Sequence, residues 1–466
     1  MNIFNNLRLK FEVPLWALIP ELAVIDTILE NRPDIIILAK EDILDGLKNN
    51  NLGRHDNPTV EQIVRAGIYK ETKGRTYEEL YFDQYDSTVC REFLLLTNKA
   101  FCKSVLQKYI SKISSENINK MMMEINKIAG ELNYEDFKDT RPDTTPVEAD
   151  IQRPTNNSLV YDCIKTATRF FEKIKDKYVF EFDQIEKKRQ EAKKINYELN
   201  NVKGQKNKNQ TKKDNRAEKM KTLFVDYLQL HQSIHNDVEG LIESGLDDLN
   251  PGDRIRIIEL EKNMTIVYNN AYRFQIEGKK VENKDKIFSI YETHTDIIVK
   301  GIRDIVFGHK INLISGRSNL ILYCNVEDGN PSDKYLFQKP ILEIEKNYGV
   351  EQFRSSAADG GYASLKNLNF ARKKFVNVIF TKAVGSLQNI ATDETIETEL
   401  KKWRAGAEGV ISNFKRKFNI GRVVWKGKKR FDAKIFWSVL CYNIRVLTGH
   451  ILKTIKEEDK KRRVII

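Results

Sequence analysis

The sequence contains only five cysteines in 466 residues, and no two of them form a Cys-x-x-Cys pair. Such pairs are the usual sign of a zinc site, and many cysteines are typical of a small disulfide-linked secreted protein. Their scarcity argues against zinc and predicts reduced thiols in a reducing compartment. A Gly-rich loop of the kind that holds nucleotide phosphates is also missing, so the chain does not fit an NTPase.

Long hydrophobic runs are missing as well. The N-terminal stretch MNIFNNLRLKFE has polar and charged residues where a signal peptide has an apolar centre, so we expect no secretion signal. The run VPLWALIPELAVI is interrupted by Pro20 and Glu21 and is too short to cross a bilayer. These features predict a soluble, cytoplasmic protein without a membrane partner.

Basic residues outnumber acidic ones. The 78 Lys and Arg residues against 66 Asp and Glu give a formal net charge of +12. This surplus suits a polyanionic partner such as DNA, although a basic protein without such a partner has the same composition. The length and the 41% of hydrophobic residues allow two or three domains with sizeable cores.

The first 130 residues have mostly helical patterns. Asn57-Pro58-Thr59 precedes the amphipathic run VEQIVRAGIYKE, and a second helical run, YEELYFDQYDSTVCREFLLL, follows Gly74. Two short helices joined by a Gly-containing turn are typical of a helix-turn-helix, and an ordinary helical subdomain gives the same pattern. We expect residues 1–130 to form a helical N-terminal domain.

A charged helical region follows the segment DTRPDTTPVEADIQRP, whose three prolines favour extended backbone. The helical pattern is broken by the polar tract NNVKGQKNKNQTKKDN, and two long helices around a polar tip indicate an antiparallel hairpin. Between Glu181 and Lys221, thirteen Lys or Arg residues stand against seven Asp or Glu. This hairpin is either solvated or an arm that contacts the DNA backbone.

From about residue 286 the hydrophobic period becomes two. The runs IFSIYE, THTDIIVKGI, VFGHKINLI and NLILYCNVED alternate apolar and polar residues, and the later runs FRSSAAD and VNVIFT alternate with helices. This order predicts a mixed sheet with helices packed on it, and so an α+β fold. The last helices are expected from about Thr395 to Phe418 and from Asp432 to Glu457.

Several acidic residues stand where a metal ion is well held. Asp359 ends a predicted strand and is followed by two glycines, which leave space for a ligand. Asp143 lies in the extended segment RPDTTPVEAD, where Asp150 is an alternative on the opposite face of a regular strand. Asp333 in GNPSD is a competing ligand, although an Asp there commonly caps a turn.

A further carboxylate falls on the predicted helix KKWRAGAEGVISNFKRKF. At 100° per residue, Arg404 and Lys415 lie within about 40° of Glu408, beside a separate apolar stripe. Glu408 is therefore expected at the border of the buried face, with two cations that suit phosphate oxygens. An exposed ion pair between Arg404 and Glu408 fits the same spacing.

Asp143, Asp359 and Glu408 together offer three carboxylates from two strands and a helix. Such hard oxygen ligands suit two Mg²⁺ ions, with Mn²⁺ as a substitute, and paired ions promote an in-line phosphoryl displacement. Lys300 and Lys310 on neighbouring predicted strands are expected to touch the DNA backbone or to be solvated at strand ends.

Two histidines, His231 and His235, have the spacing of metal ligands on one helix face. The sequence shows no third ligand at a suitable distance from them. We therefore interpret the pair as part of a polar helix face.

Five segments spread over roughly residues 139–450 occur in a characteristic order: DTTPVEADIQRPTNNSLVYD, HTDIIVKGIRDIVFGHKINL, VEDGNPSDKYL, AADGGYASLKN and WRAGAEGVISNFKRKF. The set resembles the DDE transposases of bacterial insertion sequences, most closely the ISNCY-like group. The resemblance implies an RNase H-like catalytic core at 131–466, interrupted by a basic helical insertion at about 155–285. It also implies that the N-terminal domain binds DNA.

The resemblance assigns Asp143, Asp359 and Glu408 as the catalytic metal ligands, and Arg404, Glu408 and Lys415 match the Arg-x3-Glu-x6-Lys pattern of related transposases. It implies Mg²⁺-dependent cleavage of transposon-end DNA, followed by joining of the 3′-hydroxyl to target DNA. By analogy the enzyme works as a homodimer. A metal-dependent nuclease and a domesticated, non-catalytic DNA-binding relative are the alternatives.

Overall fold

The computed structural model describes residues 15–46, 57–97, 99–178, 180–204, 210–300, 304–381 and 389–464. The chain divides into two compact units. Unit 1 combines Met1–Asp150 with His309–Ile466, and unit 2 is Ile151–Gly308.

The described residues form helices and strands with the following bounds. The helices are α1 (Pro20–Asn31), α2 (Asp34–Leu44), α3 (Val60–Thr72), α4 (Tyr77–Asp86), α5 (Thr88–Phe93), α6 (Lys103–Ile110), α7 (Ser115–Glu131), α8 (Asn156–Ile174), α9 (Phe182–Gly204), α10 (Gln210–Glu243), α11 (Pro251–Gln275), α12 (Gln338–Tyr348), α13 (Leu365–Lys374), α14 (Glu394–Ala405), α15 (Ala407–Lys417) and α16 (Lys428–Val464). The strands are β1 (Asp139–Ala149), β2 (Asp296–Lys300), β3 (Asp304–Ser315), β4 (Ile321–Glu327), β5 (Phe353–Asp359), β6 (Phe375–Thr381) and β7 (Arg422–Val423).

The predicted pair of helices around Gly74 is present as α3 and α4. Thr59 caps α3 in a capping box with Gln62, and Thr76 caps α4 in the same way. Gly74 has a φ of +65°, which glycine adopts without strain. The local sequence therefore determines where both helices begin and how the turn joins them.

The N-terminal helices share their core with the C-terminal helix α16, which differs from the predicted separate domain at 1–130. Trp437 of α16 is fully buried, and its indole Nε1 donates a hydrogen bond to the Ile110 carbonyl at 3.3 Å. Gly67 of α3 lies directly against the Trp437 ring. Helices α3 and α7 bury their apolar faces on α16, so the core extends across residue 130.

Helix α16 is long and apolar enough to cross a membrane, but 67% of its most apolar stretch is buried. It is packed against α3 and α7 within unit 1. The burial of α16 against these helices is therefore that of a core helix.

A mixed sheet carries Asp143 on β1 and Asp359 on β5. Strand β1 lies between β3 and β5, and β5 also pairs with β6. The pairs β1–β5 and β5–β6 are parallel, whereas β3–β4 is antiparallel. Together with the helices, this sheet agrees with the predicted α+β class and is consistent with an RNase H-like core.

Two predicted elements are wrong. The run IFSIYE is not a strand, because the Ser289 hydroxyl accepts hydrogen bonds from the backbone N–H groups of Tyr291 and Glu292 and forms a turn. The predicted helix from Thr395 to Phe418 is divided at Gly406 into α14 and α15.

Unit 2 is mostly helical, with α8, α9, α10 and α11 packed around one apolar core. The predicted hairpin corresponds to α9 and α10, and its tip at 205–209 lies outside the described residues. Unit 2 extends to Gly308 and includes β2 and the first residues of β3, which pair antiparallel. It is therefore longer than the predicted insertion at 155–285.

Candidate active site

Two of the predicted carboxylates lie on neighbouring parallel strands. Asp139 of β1 is in register with Ser355 of β5. Asp143 lies four residues after Asp139, and Asp359 lies four residues after Ser355. Because the two strands are parallel, Asp143 and Asp359 reach the same level of the sheet. This explains why residues far apart in sequence come close together.

Arg404 brings the three predicted carboxylates into one group. Its Nη2 atom lies 3.9 Å from Oδ2 of Asp143 and 3.8 Å from Oδ2 of Asp359. Its Nη1 atom lies 3.7 Å from Oε1 of Glu408. The carboxylates therefore surround one guanidinium group.

The three carboxylates differ in exposure. The side chain of Asp143 is 18% exposed, that of Asp359 is 47% exposed and that of Glu408 is 81% exposed. Asp143 is thus the most buried of the three carboxylates, and Glu408 is the most accessible to a ligand from solvent.

Burial raises the pKa of Asp143 above its ordinary value. The guanidinium of Arg404 and the backbone N–H of Thr144, which donates to Oδ1 at 2.8 Å, act in the opposite direction. The negative charges of Asp359 and Asp333 raise the pKa further. The surroundings of Asp143 therefore disfavour its ionised form. A cation bound beside Asp143 would stabilise that form.

Asp333 is a fourth carboxylate beside the site. Its Oδ1 atom accepts hydrogen bonds from the Thr144 hydroxyl at 3.2 Å and from the Lys310 ammonium at 3.0 Å. Lys310 also donates to the Pro331 carbonyl at 2.7 Å. A Cβ atom on Gly361 would lie 3.1 Å from Oδ2 of Asp333, so part of the space expected for a ligand is occupied by this side chain.

Lys310 and Lys300 were both expected to contact the DNA backbone. Lys310 is only 14% exposed and is bound to Asp333 in this structure. Lys300 belongs to β2, but its side chain lies outside the described residues. DNA contact by either lysine stays a prediction.

Lys415 of α15 contacts β1, and Asp150 directly follows this strand. The Lys415 ammonium donates to the Pro146 carbonyl at 2.5 Å, three residues beyond Asp143. Asp150 forms an ion pair with Arg422 at 3.0 Å. The structure therefore groups Asp143 with Asp359, and it places the alternative Asp150 in a different ion pair.

Arg141 is a positioning residue that the sequence did not reveal. Its guanidinium donates to Ser315, to Asn319 and to the carbonyl of Trp403, the last at 2.9 Å. Burial lowers the pKa of Arg141 to about 10. The Trp403 carbonyl that accepts this hydrogen bond from Arg141 lies in the last turn of α14. Helix α14 ends at Ala405, directly before Gly406.

Tyr362 is a second residue that the sequence analysis missed. Its side chain is buried, and its hydroxyl has no hydrogen-bond partner among the residues that the structure describes. Burial raises its pKa well above the ordinary value, and the charges of Asp333, Asp143 and Asp359 raise it further. The phenol therefore stays protonated beside the carboxylates, and the motif AADGGY was its only signal in the sequence.

The histidine pair of α10 is buried, so its interpretation as a polar helix face is wrong. His231 is fully buried, and within the described ranges neither ring nitrogen has a partner. His235 lies close to Glu239 and to Glu261 of α11. The sequence did not reveal the proximity of Glu261, because this residue belongs to a different helix.

The donor chemistry of the candidate site fits a hard divalent cation, because Asp143, Asp359 and Glu408 all supply carboxylate oxygens. Among the described residues, only one group of three His, Cys, Asp or Glu side chains has all its ligand atoms within 4.8 Å of one another. This group is His235, Glu239 and Glu261. The candidate carboxylates are more widely spaced because Arg404 lies between them. Binding of a cation at the candidate site therefore requires Arg404 to move aside.

A family model described as a transposase DDE domain matches residues 304–444. The match covers Asp359, Arg404, Glu408 and Lys415, and it begins after Asp143. It supports a DDE-type transposase and so implies transposition activity, DNA as the partner and divalent metal ions as cofactors. Neither the curated proteins nor the solved structures gave a significant match.

Proposed function

We propose that this chain is an insertion-sequence transposase of the bacterial ISNCY-like group. It binds transposon-end DNA, cleaves it and joins the resulting 3′-hydroxyl ends to target DNA. The observation that carries this proposal is the position of Arg404 within 4 Å of Asp143, Asp359 and Glu408, three residues from separate elements. The DDE domain match over residues 304–444 supports the same reaction class.

Asp143, Asp359 and Glu408 are the residues proposed to hold two Mg²⁺ ions, with Mn²⁺ as a substitute. Bound ions of this kind activate a water or hydroxyl nucleophile and stabilise the leaving oxygen. The chain itself supplies a partly buried carboxylate at Asp143 and more exposed carboxylates at Asp359 and Glu408. This gradient lets a large polyanion reach the site from the side of Glu408.

Arg404 and Lys415 are proposed to bind phosphate oxygens near the scissile bond. The guanidinium of Arg404 is a planar donor that matches phosphate geometry, and it already lies among the three carboxylates. In the absence of substrate it holds the carboxylates together. When DNA and metal arrive, it exchanges carboxylate partners for phosphate oxygens.

The N-terminal helices and unit 2 are proposed to bind DNA outside the catalytic cleft. Helix α4 contains four acidic residues and no Lys or Arg, so α4 does not suit insertion into a major groove. The basic surplus around α9 and α10 suits backbone contacts. A homodimer that pairs two transposon ends in the bacterial cytoplasm completes the proposal.

Oligonucleotide cleavage by the full-length protein tests the proposal. Asp143→Asn, Asp359→Asn and Glu408→Gln are each expected to abolish Mg²⁺-dependent cleavage of duplexes carrying the element's ends while retaining end binding. Full cleavage by any of these variants removes that residue from the metal site. A supercoiled target plasmid separates a transposase from a nuclease, because only strand transfer yields a joined product.

A further inference from the structure

Unit 1 contains a cavity of about 420 Å³ between the turn that joins α3 to α4 and the segment from β7 to the first turns of α16. We call it the basic pocket. One carboxylate, Glu71, lines it together with six cationic side chains: Lys70, Arg75, Arg422, Lys426, Arg430 and Lys434. Such a charge imbalance points to an anionic ligand.

The floor of the basic pocket carries buried positive charge. Glu71 is 3% exposed and binds the ammonium groups of both Lys70, at 2.8 Å, and Lys434. Burial disfavours the ionised form of Glu71, but Lys434 and Lys70 hold its pKa below the usual range. Two amino groups therefore share one carboxylate, and because burial lowers the pKa of Lys434, a further anion in the pocket would favour the charged form of Lys434.

One wall of the basic pocket is aromatic and offers an unused donor. The rings of Tyr77 and Trp425 are stacked at 5.8 Å, and Lys70 Nζ lies 4.7 Å from the centre of the Tyr77 ring. The Tyr77 hydroxyl is buried and has no hydrogen-bond partner in the described part of the chain. An oxygen atom of an anion in the pocket would give this hydroxyl an acceptor.

The mouth of the basic pocket has cations that are still available. Arg75 forms an ion pair with Asp83 at 2.8 Å, and Arg422 forms one with Asp150. Lys426 and Arg430 are exposed, and neither has an ion pair with another described residue. These two side chains can therefore bind a ligand without breaking an existing pair.

The basic pocket lies within reach of DNA bound at the candidate active site. Arg422 is in register with Glu148 of β1, five residues after Asp143. At about 3.3 Å per residue, this separation along the strand is about 17 Å. A duplex advances by about 3.4 Å per base pair, so the distance corresponds to about five base pairs.

We propose that the basic pocket binds a backbone phosphate of transposon-end DNA, a few base pairs from the scissile phosphate. Lys426 and Arg430 contact the phosphate from the mouth, Lys70 faces it from the floor, and the Tyr77 hydroxyl donates to it from the aromatic wall. This inference rests on the proposed function, because it takes the substrate to be the same DNA. The contact fixes the register of the end without reading its sequence.

Fluorescence anisotropy of a labelled end duplex tests the pocket with full-length protein. Lys426→Ala and Arg430→Ala are each expected to weaken binding about five- to tenfold at 0.1 M salt, and to reduce the salt slope of the association constant by about 1. Tyr77→Phe, which removes only the hydroxyl, is expected to weaken binding without changing the salt slope. Lys429→Ala is the matched control, because Lys429 is an exposed neighbour outside the pocket lining.

Equal effects of Arg430→Ala, Lys426→Ala and Lys429→Ala would overturn the inference, because only overall charge would then matter. Stabilisation of the wild-type protein by inorganic phosphate, without any loss of DNA affinity in the pocket variants, would also overturn it in favour of a small soluble anion. Failure of the proposed function is recognised separately. In that case wild-type protein binds end DNA but neither cleaves nor joins it.

Discussion

The Nη2 atom of Arg404 lies 3.9 Å from Oδ2 of Asp143. The same atom lies 3.8 Å from Oδ2 of Asp359, so one positive charge bridges two negative ones. Without this bridge the carboxylates would repel one another in a partly buried site. Under the proposed function Arg404 therefore has two roles that compete, since it compensates the carboxylates before metal binds and would bind phosphate afterwards.

Arg404→Ala is expected to increase the affinity for divalent ions while lowering the rate of cleavage. Removal of the guanidinium leaves three carboxylates with uncompensated charge, which favours a cation. Loss of a positioned phosphate donor slows cleavage by about 10²-fold. Mn²⁺ binding followed by electron paramagnetic resonance and the Mg²⁺ dependence of cleavage measure the two effects.

Arg404→Lys is the control for this prediction, because it keeps the charge and removes the planar fork. It should retain the metal affinity of the wild type and still cleave slowly. A weaker metal affinity in Arg404→Ala would contradict the idea that the guanidinium competes with the metal.

The sequence predicted that Asp143, Asp359 and Glu408 would come together, and all three lie around Arg404, but the residues that hold them in place were not visible. Asp359 was visible because a strand pattern ends there and glycines follow. Arg141 was not visible, because its bond to the Trp403 carbonyl joins residues 262 positions apart. The division of the predicted helix at Gly406 was missed for the same reason, since local pattern contains no information on a distant side chain.

Burial decided where the predicted lysine and histidine side chains lie: DNA contact by Lys310 stays a prediction, whereas the polar helix face expected at His231 is wrong. Lys310 was expected at a solvated strand end or on DNA, whereas the fold turns it towards Asp333. His231 was expected on a polar face, whereas α10 packs that face into the core of unit 2. The charge and spacing of a residue do not reveal which neighbouring element covers it.

Stability is expected to fall as the pH falls below about 6.5, because of His231. Burial lowers the pKa of His231 to about 3, so the unfolded chain binds a proton in a range where the folded chain does not. His231 therefore contributes its full stabilisation at pH values above its pKa in the unfolded chain, about 6.5. Between pH 6.5 and 3 the free energy of unfolding decreases by about 1.4 kcal/mol per pH unit. Thermal unfolding of the full-length chain between pH 7 and pH 4.5 measures this loss.

His231→Phe is expected to make the unfolding midpoint less dependent on pH in this range. The aromatic ring keeps the stacking on Tyr268, where the ring centres are 5.9 Å apart, and it carries no titrating group. An unchanged pH dependence in this variant would show that other groups cause the acid sensitivity.

Gly67→Ala is expected to destabilise unit 1. A Cβ atom at this position would lie 2.7 Å from the indole ring of Trp437, which is fully buried and cannot move aside easily. Overpacking of this kind costs about 1–3 kcal/mol. A lower midpoint of thermal unfolding would support a single core shared by α3 and α16.

Gly409→Ala is the matched control, because both substitutions add one methyl group to a helix. No heavy atom in the described structure lies within 4 Å of a Cβ at Gly409 in α15. The change should therefore stabilise the protein by up to about 1 kcal/mol through helix propensity alone. If Gly67→Ala were as stable as Gly409→Ala, α3 and α16 would not be in contact, and residues 1–130 would fold as the separate domain that the sequence first suggested.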